Sequence, residues 1–283
     1  MDLEYEDKTK LIPQNKYLFS ITDINLFLYE PNLFFRKVLL KDVESVQKTE
    51  MTLGTCIHHL CSEIQKKDAD RNLIEKEVME YLKTLDPTII DTAYVKEKYR
   101  QMEEVVIATI TENNFKFQIN ETDIIESEQT YITSITPNVY VGGTLDVRYN
   151  NLIIDYKTTS NKHIKEYTEM SERYKTQLYG YAWLCHRNNI QIDKVALQYF
   201  TIPDLNRVSQ VTGKCLQSYP CRDVMQSLYI QQEEMDKFEK LVTLIGETLE
   251  YILQNSKSFK FFARDLSLNF RKKRETKEVL WKF

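Results

Sequence analysis

Residues Gly142 to Thr158 read Gly-Gly-Thr-Leu-Asp-Val-Arg-Tyr-Asn-Asn-Leu-Ile-Ile-Asp-Tyr-Lys-Thr and contain the clearest structural signal in the chain. Two strand-like runs flank Asn150-Asn151, and asparagine tolerates the positive φ angles of a two-residue hairpin turn. The pattern therefore predicts a β-hairpin in which Tyr149 pairs with Leu152. The apolar run that begins at Leu152 is continuous, which is typical of a strand that is covered on both faces.

Two acidic residues face each other in this predicted hairpin. Counting back from the turn places Asp146 opposite Asp155, with about 4.5–5.5 Å between their Cβ atoms. Two carboxylates so close repel each other unless a divalent cation such as Mg²⁺ or Mn²⁺ lies between them. Lys157 shares the face of Asp155, where it can orient water or stabilise charge on a phosphate. An exposed hairpin face with mixed charges is the alternative, which the buried run argues against.

Hydrophobic patterns divide the rest of the chain into helical and strand-like regions. Residues 17–118 are mostly helical in pattern, with amphipathic stretches at about 73–85 and 91–111 on either side of Asp86-Pro87. The other predicted elements are strands at Ile124–Ser134, Val139–Tyr149, Leu152–Thr158 and 194–203, and helices at 170–188 and 222–255. This order predicts an α/β or α+β fold with the sheet at its centre, in a single domain.

The composition is that of a globular protein. The 283 residues are 42% hydrophobic and 28% charged, with a mean hydropathy of −0.47. These values exclude bulk disorder and an integral membrane protein. The acidic N-terminus, Met1–Asp7, lacks the basic and apolar regions of a signal peptide. We therefore expect a cytoplasmic protein without a membrane partner, whose five cysteines are buried thiols.

Charge is distributed unevenly along the chain. The net charge is −4, whereas residues 257–283 hold nine lysines or arginines and three acids, a net charge of +6. This basic segment, with Phe261-Phe262 and Phe270–Arg274, points to a polyanionic polymer rather than a small phosphorylated molecule. On charge alone, a solvated C-terminal helix or tail explains it equally well.

The acidic pair and the lysine resemble the core of the PD-(D/E)XK nuclease superfamily, in which one acidic residue precedes an acidic-x-Lys triplet on the next strand. Asp146 matches the first acid, and Asp155-Tyr156-Lys157 matches the triplet. Three further motifs narrow the resemblance to the RecB-like branch, which includes the nuclease domains of recombination helicases and the CRISPR-associated exonucleases. Together the motifs span about residues 20–185 in the order of that branch.

The three further motifs lie on predicted helices. Gly54-Thr55-x-x-His58 resembles the helix-borne histidine motif, which selects His58 rather than His59 as a metal ligand. Gln177 and Tyr181 match the family's Q-x-x-x-Y motif and share one helix face, where they contact the DNA backbone or brace the lysine. Ser20–Arg36 resembles the N-terminal helix, with Ser20 as its N-cap. A structural role for His58, Gln177 or Tyr181 remains open from the sequence alone.

The resemblance implies a restriction-endonuclease-like α/β core with a central mixed β-sheet flanked by helices. It divides the single domain, 1–283, into a helical N-terminal part (about 17–118), a catalytic core (about 119–205) and a helical basic C-terminal part (about 206–283). Some relatives bind an iron–sulfur cluster through a cysteine before the proline of the N-terminal motif. Here Glu30 occupies that position and no cysteine follows Cys221, so no cluster is expected.

The implied function is that of a metal-dependent DNA nuclease, in particular an exonuclease on single-stranded DNA or DNA ends in recombination, repair or viral DNA processing. His58, Asp146, Asp155 and the carbonyl of Tyr156 would bind Mg²⁺ or Mn²⁺, and Lys157 would act on the water. Glu126 or Glu128, on the preceding strand, would add a supporting carboxylate behind the metal ligands, and the sequence does not choose between them. Recombination or replication proteins are candidate partners. The alternative is a non-catalytic DNA-binding or assembly subunit on the same fold.

Overall fold

The computed structural model describes residues 12–13, 16–41, 48–66, 68–117, 125–205 and 217–255. In these ranges the strands are β1 (Tyr17–Ser20), β2 (Ile125–Ser134), β3 (Val139–Tyr149), β4 (Leu152–Thr159), β5 (Lys194–Thr201) and β6 (Asp223–Tyr229). The helices are α1 (Ile21–Tyr29), α2 (Pro31–Phe35) with a π-helical continuation (Arg36–Leu40), α3 (Thr49–Ile64), α4 (Arg71–Thr84), α5 (Thr92–Lys116), α6 (Glu172–Arg187) and α7 (Gln232–Gln254).

The strands of the described residues form one mixed β-sheet. Its order is β1-β3-β4-β5-β6, with β2 paired to β3 outside this path. The β1–β3 and β4–β5 pairs are parallel, whereas β3–β4 and β5–β6 are antiparallel. Helices α3 and α6 both contact β4. The predicted α/β class, with a mixed sheet flanked by helices, is therefore confirmed.

The described residues divide into two compact units. One contains the described residues of Val46–Tyr131 and Thr144–Gln231, and the other contains those of Asp7–Ser45, Ile132–Gly143 and Gln232–Phe283. Strands β2 and β3 contribute residues to both units. The single domain expected from the sequence stays a prediction.

The start signals of the helices follow the sequence. The Ser20 hydroxyl accepts a hydrogen bond from the Asp23 N–H at 3.2 Å, and the Asp23 carboxylate accepts one from the Ser20 N–H at 2.8 Å. This reciprocal pair provides acceptors for two N–H groups that have no partner within the helix, as predicted for an N-cap at Ser20. The side chains of Asp70 and Asp91 cap α4 and α5 by accepting hydrogen bonds from N–H groups of the first turn. The Asp86-Pro87 break separates these two helices as expected.

Two predicted elements differ from the structure. The helix predicted over 222–255 begins at Gln232, and the residues before it form β6. Gln226, in the middle of β6, is buried and donates to the carbonyls of Lys165 and Thr168. These tertiary hydrogen bonds, together with pairing to β5, stabilise a strand where the local pattern favours a helix. In the N-terminal region, Tyr17–Ser20 is a strand that the helical prediction missed.

The strand that leads to the predicted triplet lies in the core. Every residue from Leu152 to Tyr156 is buried, with Ile153 and Ile154 fully inaccessible. The prediction of a strand covered on both faces is therefore confirmed. The four described cysteines are also buried and unpaired. Cys215 and the basic segment 257–283 lie outside the described residues.

No described helix combines the length and the apolar character that crossing a membrane would require.

Gly246 tests the packing of α7. A Cβ atom there would meet the Ile135 side chain, with the Ile135 Cβ only 3.0 Å away. Gly246→Ala should therefore destabilise the protein by about 1–3 kcal/mol through overpacking, although alanine in an open helix interior gains about 1 kcal/mol over glycine. Urea denaturation measures the difference.

Gly54→Ala is the matched control, because its new Cβ would meet the nearest atom, Thr158 Oγ1, at an ordinary 3.4 Å. We expect unchanged or higher stability for this variant. A Gly246→Ala protein as stable as Gly54→Ala would contradict the close packing of α7.

Candidate active site

The candidate site lies where β3 and β4 stop pairing. Their ladder runs from Tyr149 opposite Leu152, the predicted pair, to Val147 opposite Ile154. Asn150 in the turn has a φ of 48°, a left-handed conformation that asparagine tolerates, as predicted for this turn. One further step in this register places Asp146 opposite Asp155, beyond the end of the regular ladder.

Asp146 is fixed by the backbone of the neighbouring strand. Its Oδ2 accepts a hydrogen bond of 2.6 Å from the Tyr156 N–H, and its Oδ1 lies 3.4 Å from Nδ1 of His58 on α3. His59 has its Nε2 3.0 Å from a carboxylate oxygen of Glu77 on α4. The structure therefore places His58, and not His59, beside the first acid.

Asp155 is held by a second set of contacts. Its Oδ2 lies 2.5 Å from Lys157 Nζ, and its Oδ1 accepts a hydrogen bond of 3.2 Å from Gln177 Nε2. The same amide nitrogen donates to the Tyr181 hydroxyl at 2.9 Å. Gln177 and Tyr181 are both buried, so their observed contacts support Asp155. The predicted contacts of this pair were with DNA or Lys157, and the structure places it against the aspartate.

The structure separates the two glutamates that the sequence could not rank. Glu126 makes an ion pair of 2.7 Å with buried Arg148 and accepts a hydrogen bond from Tyr131. Glu128 instead converges with His58 and Asp146, and one ligand atom from each of these three residues lies within 4.8 Å of the others. A register count between β2 and β3 was the signal that could have distinguished the two.

Burial and neighbouring charges shift the pKa values of these groups. Burial raises the pKa of Asp155 to about 6, although Lys157 opposes this shift. Burial would also raise the pKa of Asp146, but His58 and Lys157 outweigh it and hold that pKa below its usual value. Burial lowers the pKa values of His58 and Lys157, yet the adjacent aspartates raise both above their usual range. The site therefore stabilises the charged forms of Asp146, His58 and Lys157, whereas burial disfavours the charged form of Asp155.

The donor atoms fit a divalent cation. Carboxylate oxygens suit Mg²⁺ and Mn²⁺, and an imidazole nitrogen favours a transition metal such as Mn²⁺. Asp146 Oδ1 lies 3.4 Å from His58 Nδ1, and one ligand atom of Glu128 lies within 4.8 Å of a ligand atom of each of these two residues. Asp155 is instead engaged by Lys157 and Gln177. His58, Glu128 and Asp146 are thus the residues that the structure brings together as a group that could hold a metal. Asp155, the other predicted carboxylate ligand, is not one of these three.

A comparison with protein-family models identifies the family of the chain. A model of the PD-(D/E)XK nuclease superfamily matches residues 18–260, which is most of the chain. This match confirms the resemblance drawn from the hairpin and the helical motifs. None of the curated proteins compared with the chain matches it.

Solved structures with a distant likeness include two exonucleases. An alkaline exonuclease from Laribacter hongkongensis shares 10% identity, with 80% of this chain and 99% of that chain covered and a TM-score of 0.31. A phage-related exonuclease from Haemophilus somnus 129PT shares 13% identity, with 74% and 96% covered and a TM-score of 0.32. Values this low show no more than a distant likeness.

The electrostatic link between Lys157 and Asp155 is open to a direct test. Lys157→Ala removes a charge that lowers the pKa of Asp155, so that pKa should rise above about 6 in metal-free protein. Carbon-13 NMR titration of the aspartate carboxyl groups measures it. Lys175→Ala, which removes a lysine paired with Glu172 on the surface of α6, should leave the pKa of Asp155 unchanged. A fall or no change in the Lys157 variant would contradict the assigned link.

Proposed function

The chain belongs to the PD-(D/E)XK nuclease superfamily, and we propose that it degrades DNA from free ends, with a preference for single strands. Membership of this family makes the protein a metal-dependent phosphodiester hydrolase, which was the predicted enzyme class. The requirement for a free DNA end and the preference for single strands are the new parts of the proposal. We expect the protein to act in a cell or in virus-encoded DNA processing, with recombination or replication proteins as partners.

The observation that carries the proposal is the placement of Asp146, Asp155 and Lys157 at the fork between β3 and β4. Both carboxylates are almost inaccessible, with exposed fractions of 8% and 1%. Burying two neighbouring carboxylates costs free energy. The pairing of the strands does not require acidic residues at these positions. Binding of a divalent cation, and through it of negatively charged DNA, would explain why the two carboxylates are buried together.

Each residue has a distinct role in the proposed reaction. When bound, a divalent cation would supply a water of lowered pKa and offset the charge on the phosphate. His58, Asp146 and Asp155 would hold this cation, with the Tyr156 carbonyl as a further ligand. Mn²⁺ and Mg²⁺ are both candidates.

Lys157 acts as a positive charge rather than as a proton acceptor. Its ammonium lies 2.5 Å from Asp155, and the two aspartates raise its pKa above the ordinary value. It therefore stays protonated near neutral pH and can donate hydrogen bonds to the scissile phosphate or to the attacking water. Gln177 keeps Asp155, and through it Lys157, in place.

The preference for ends and single strands rests on sequence features. Residues 257–283 contain both basic and aromatic side chains, and this combination suits a single strand whose bases stack as the backbone is neutralised. This segment lies outside the described residues, and its composition is what supports the preference. Binding should also weaken with added salt, because counterions are released from DNA.

Three substitutions separate the roles within the site. Asp146→Asn and Asp155→Asn each remove a charged oxygen, so both Mn²⁺ affinity and DNA cleavage should fall. Lys157→Ala removes a positive charge that opposes cation binding, so Mn²⁺ should bind at least as well while turnover falls by about 100-fold or more. Isothermal titration with Mn²⁺ beside a cleavage assay measures both quantities. Near-normal cleavage by Lys157→Ala, or normal Mn²⁺ binding by both aspartate variants, would contradict the assignment.

The preference for ends predicts a difference between linear and circular substrates. With Mn²⁺ present, labelled linear single-stranded DNA should be degraded, whereas closed circular single strands of the same length should persist. Chelation by EDTA should stop degradation of the linear substrate. Equal rates on both substrates would identify an endonuclease instead.

A further inference from the structure

Glu128 lies directly across the sheet from Asp146. One contact on each side of this position gives the register of β2 on β3. The hydroxyl oxygens of Thr130 and Thr144 lie 2.8 Å apart, and Arg148 Nε donates a hydrogen bond of 3.0 Å to Glu126 Oε2. Both contacts belong to the same register, so no residue is inserted between them. Position 128 of β2 therefore faces position 146 of β3.

Three carboxylates consequently share one level of three neighbouring strands. Glu128 on β2 faces Asp146 on β3, and the β3–β4 ladder ends at Val147 and Ile154, one residue before Asp146 and Asp155. Facing residues have Cβ atoms about 4.5–5.5 Å apart, and like charges at that spacing repel. His58 and Lys157 provide cationic neighbours for the two aspartates. The third carboxylate adds negative charge at the end of the row that His58 faces.

The backbone of Glu128 is unusual as well. Its φ is 54°, a left-handed conformation that glycine adopts easily and that a glutamate in a strand rarely adopts. Glu128 is exposed, whereas Asp146 is buried, so its side chain borders the site on the solvent side. A glutamate at this position is therefore unfavourable for the backbone.

We propose that Glu128 is a further protein ligand of the cation that His58 and Asp146 hold, an inference that rests on the proposed function. The convergence of one ligand atom from each residue within 4.8 Å carries it. A third carboxylate raises the negative charge of the ligand set and so strengthens binding of a divalent cation. Glu128 thereby determines how tightly the site binds its metal in the absence of DNA.

Metal binding without substrate tests this role. Isothermal titration of DNA-free protein with Mn²⁺ should show a dissociation constant about tenfold or more higher for Glu128→Gln than for the natural protein. Glu126→Gln is the matched control, since it makes the same change two residues away on the same strand. Its Mn²⁺ affinity should stay within about twofold, while its thermal stability falls because buried Arg148 loses its ion pair.

A second variant guards against a folding artefact. Glu128→Gly removes the carboxylate and relieves the left-handed backbone, so it should weaken Mn²⁺ binding as Glu128→Gln does while unfolding at the same or a higher temperature. Normal Mn²⁺ binding by both Glu128 variants overturns the inference and leaves the proposed function standing. Equal weakening by Glu126→Gln also overturns it, because a general disturbance of β2 would then explain the loss. If the natural protein binds neither Mn²⁺ nor Mg²⁺, the proposed function itself fails.

Discussion

The candidate site depends on the hydrogen bond from the Tyr156 N–H to the carboxylate of Asp146. In a regular antiparallel pair this N–H would bond to a carbonyl of the neighbouring strand. Here a side chain accepts it, and the regular ladder ends one residue earlier. The strand edge thus becomes a fixed support for a carboxylate. Tyr156 is buried in the same hydrophobic cluster as Ile57 of α3, so this support packs against the helix that carries His58.

The parts of the fold that were predictable from the sequence are those set by local chemistry. The Asn150-Asn151 turn fixed the hairpin register, the Ser20 side chain marked the start of α1, and Asp86-Pro87 separated two helices. Strand β6 was missed because its buried glutamine depends on loop carbonyls about 60 residues earlier in the chain. Such a contact leaves no periodic signal in the strand itself.

The residues of the candidate site were predictable to a similar extent. Spacing alone brought Asp146, Asp155 and Lys157 together, and a family motif identified His58. Spacing did not reveal which side chain Gln177 supports, because that depends on how α6 packs against β4. Nor did it rank Glu126 against Glu128, since the choice requires the register of β2 on β3, which the predicted turn at Thr136-Pro137-Asn138 does not specify. The strand register, rather than composition, assigns one glutamate to a structural ion pair and the other to the site.

The shared amide of Gln177 has a consequence for what this position can tolerate. An amide nitrogen carries two hydrogens, and here one reaches Asp155 while the other reaches the Tyr181 hydroxyl. Glutamate has almost the same shape but replaces this donor with an acceptor. A single-atom exchange would therefore turn the support of Asp155 into a repulsion between two buried anions. Chemical identity at this position, and not size or polarity in general, sets the limit on acceptable replacements.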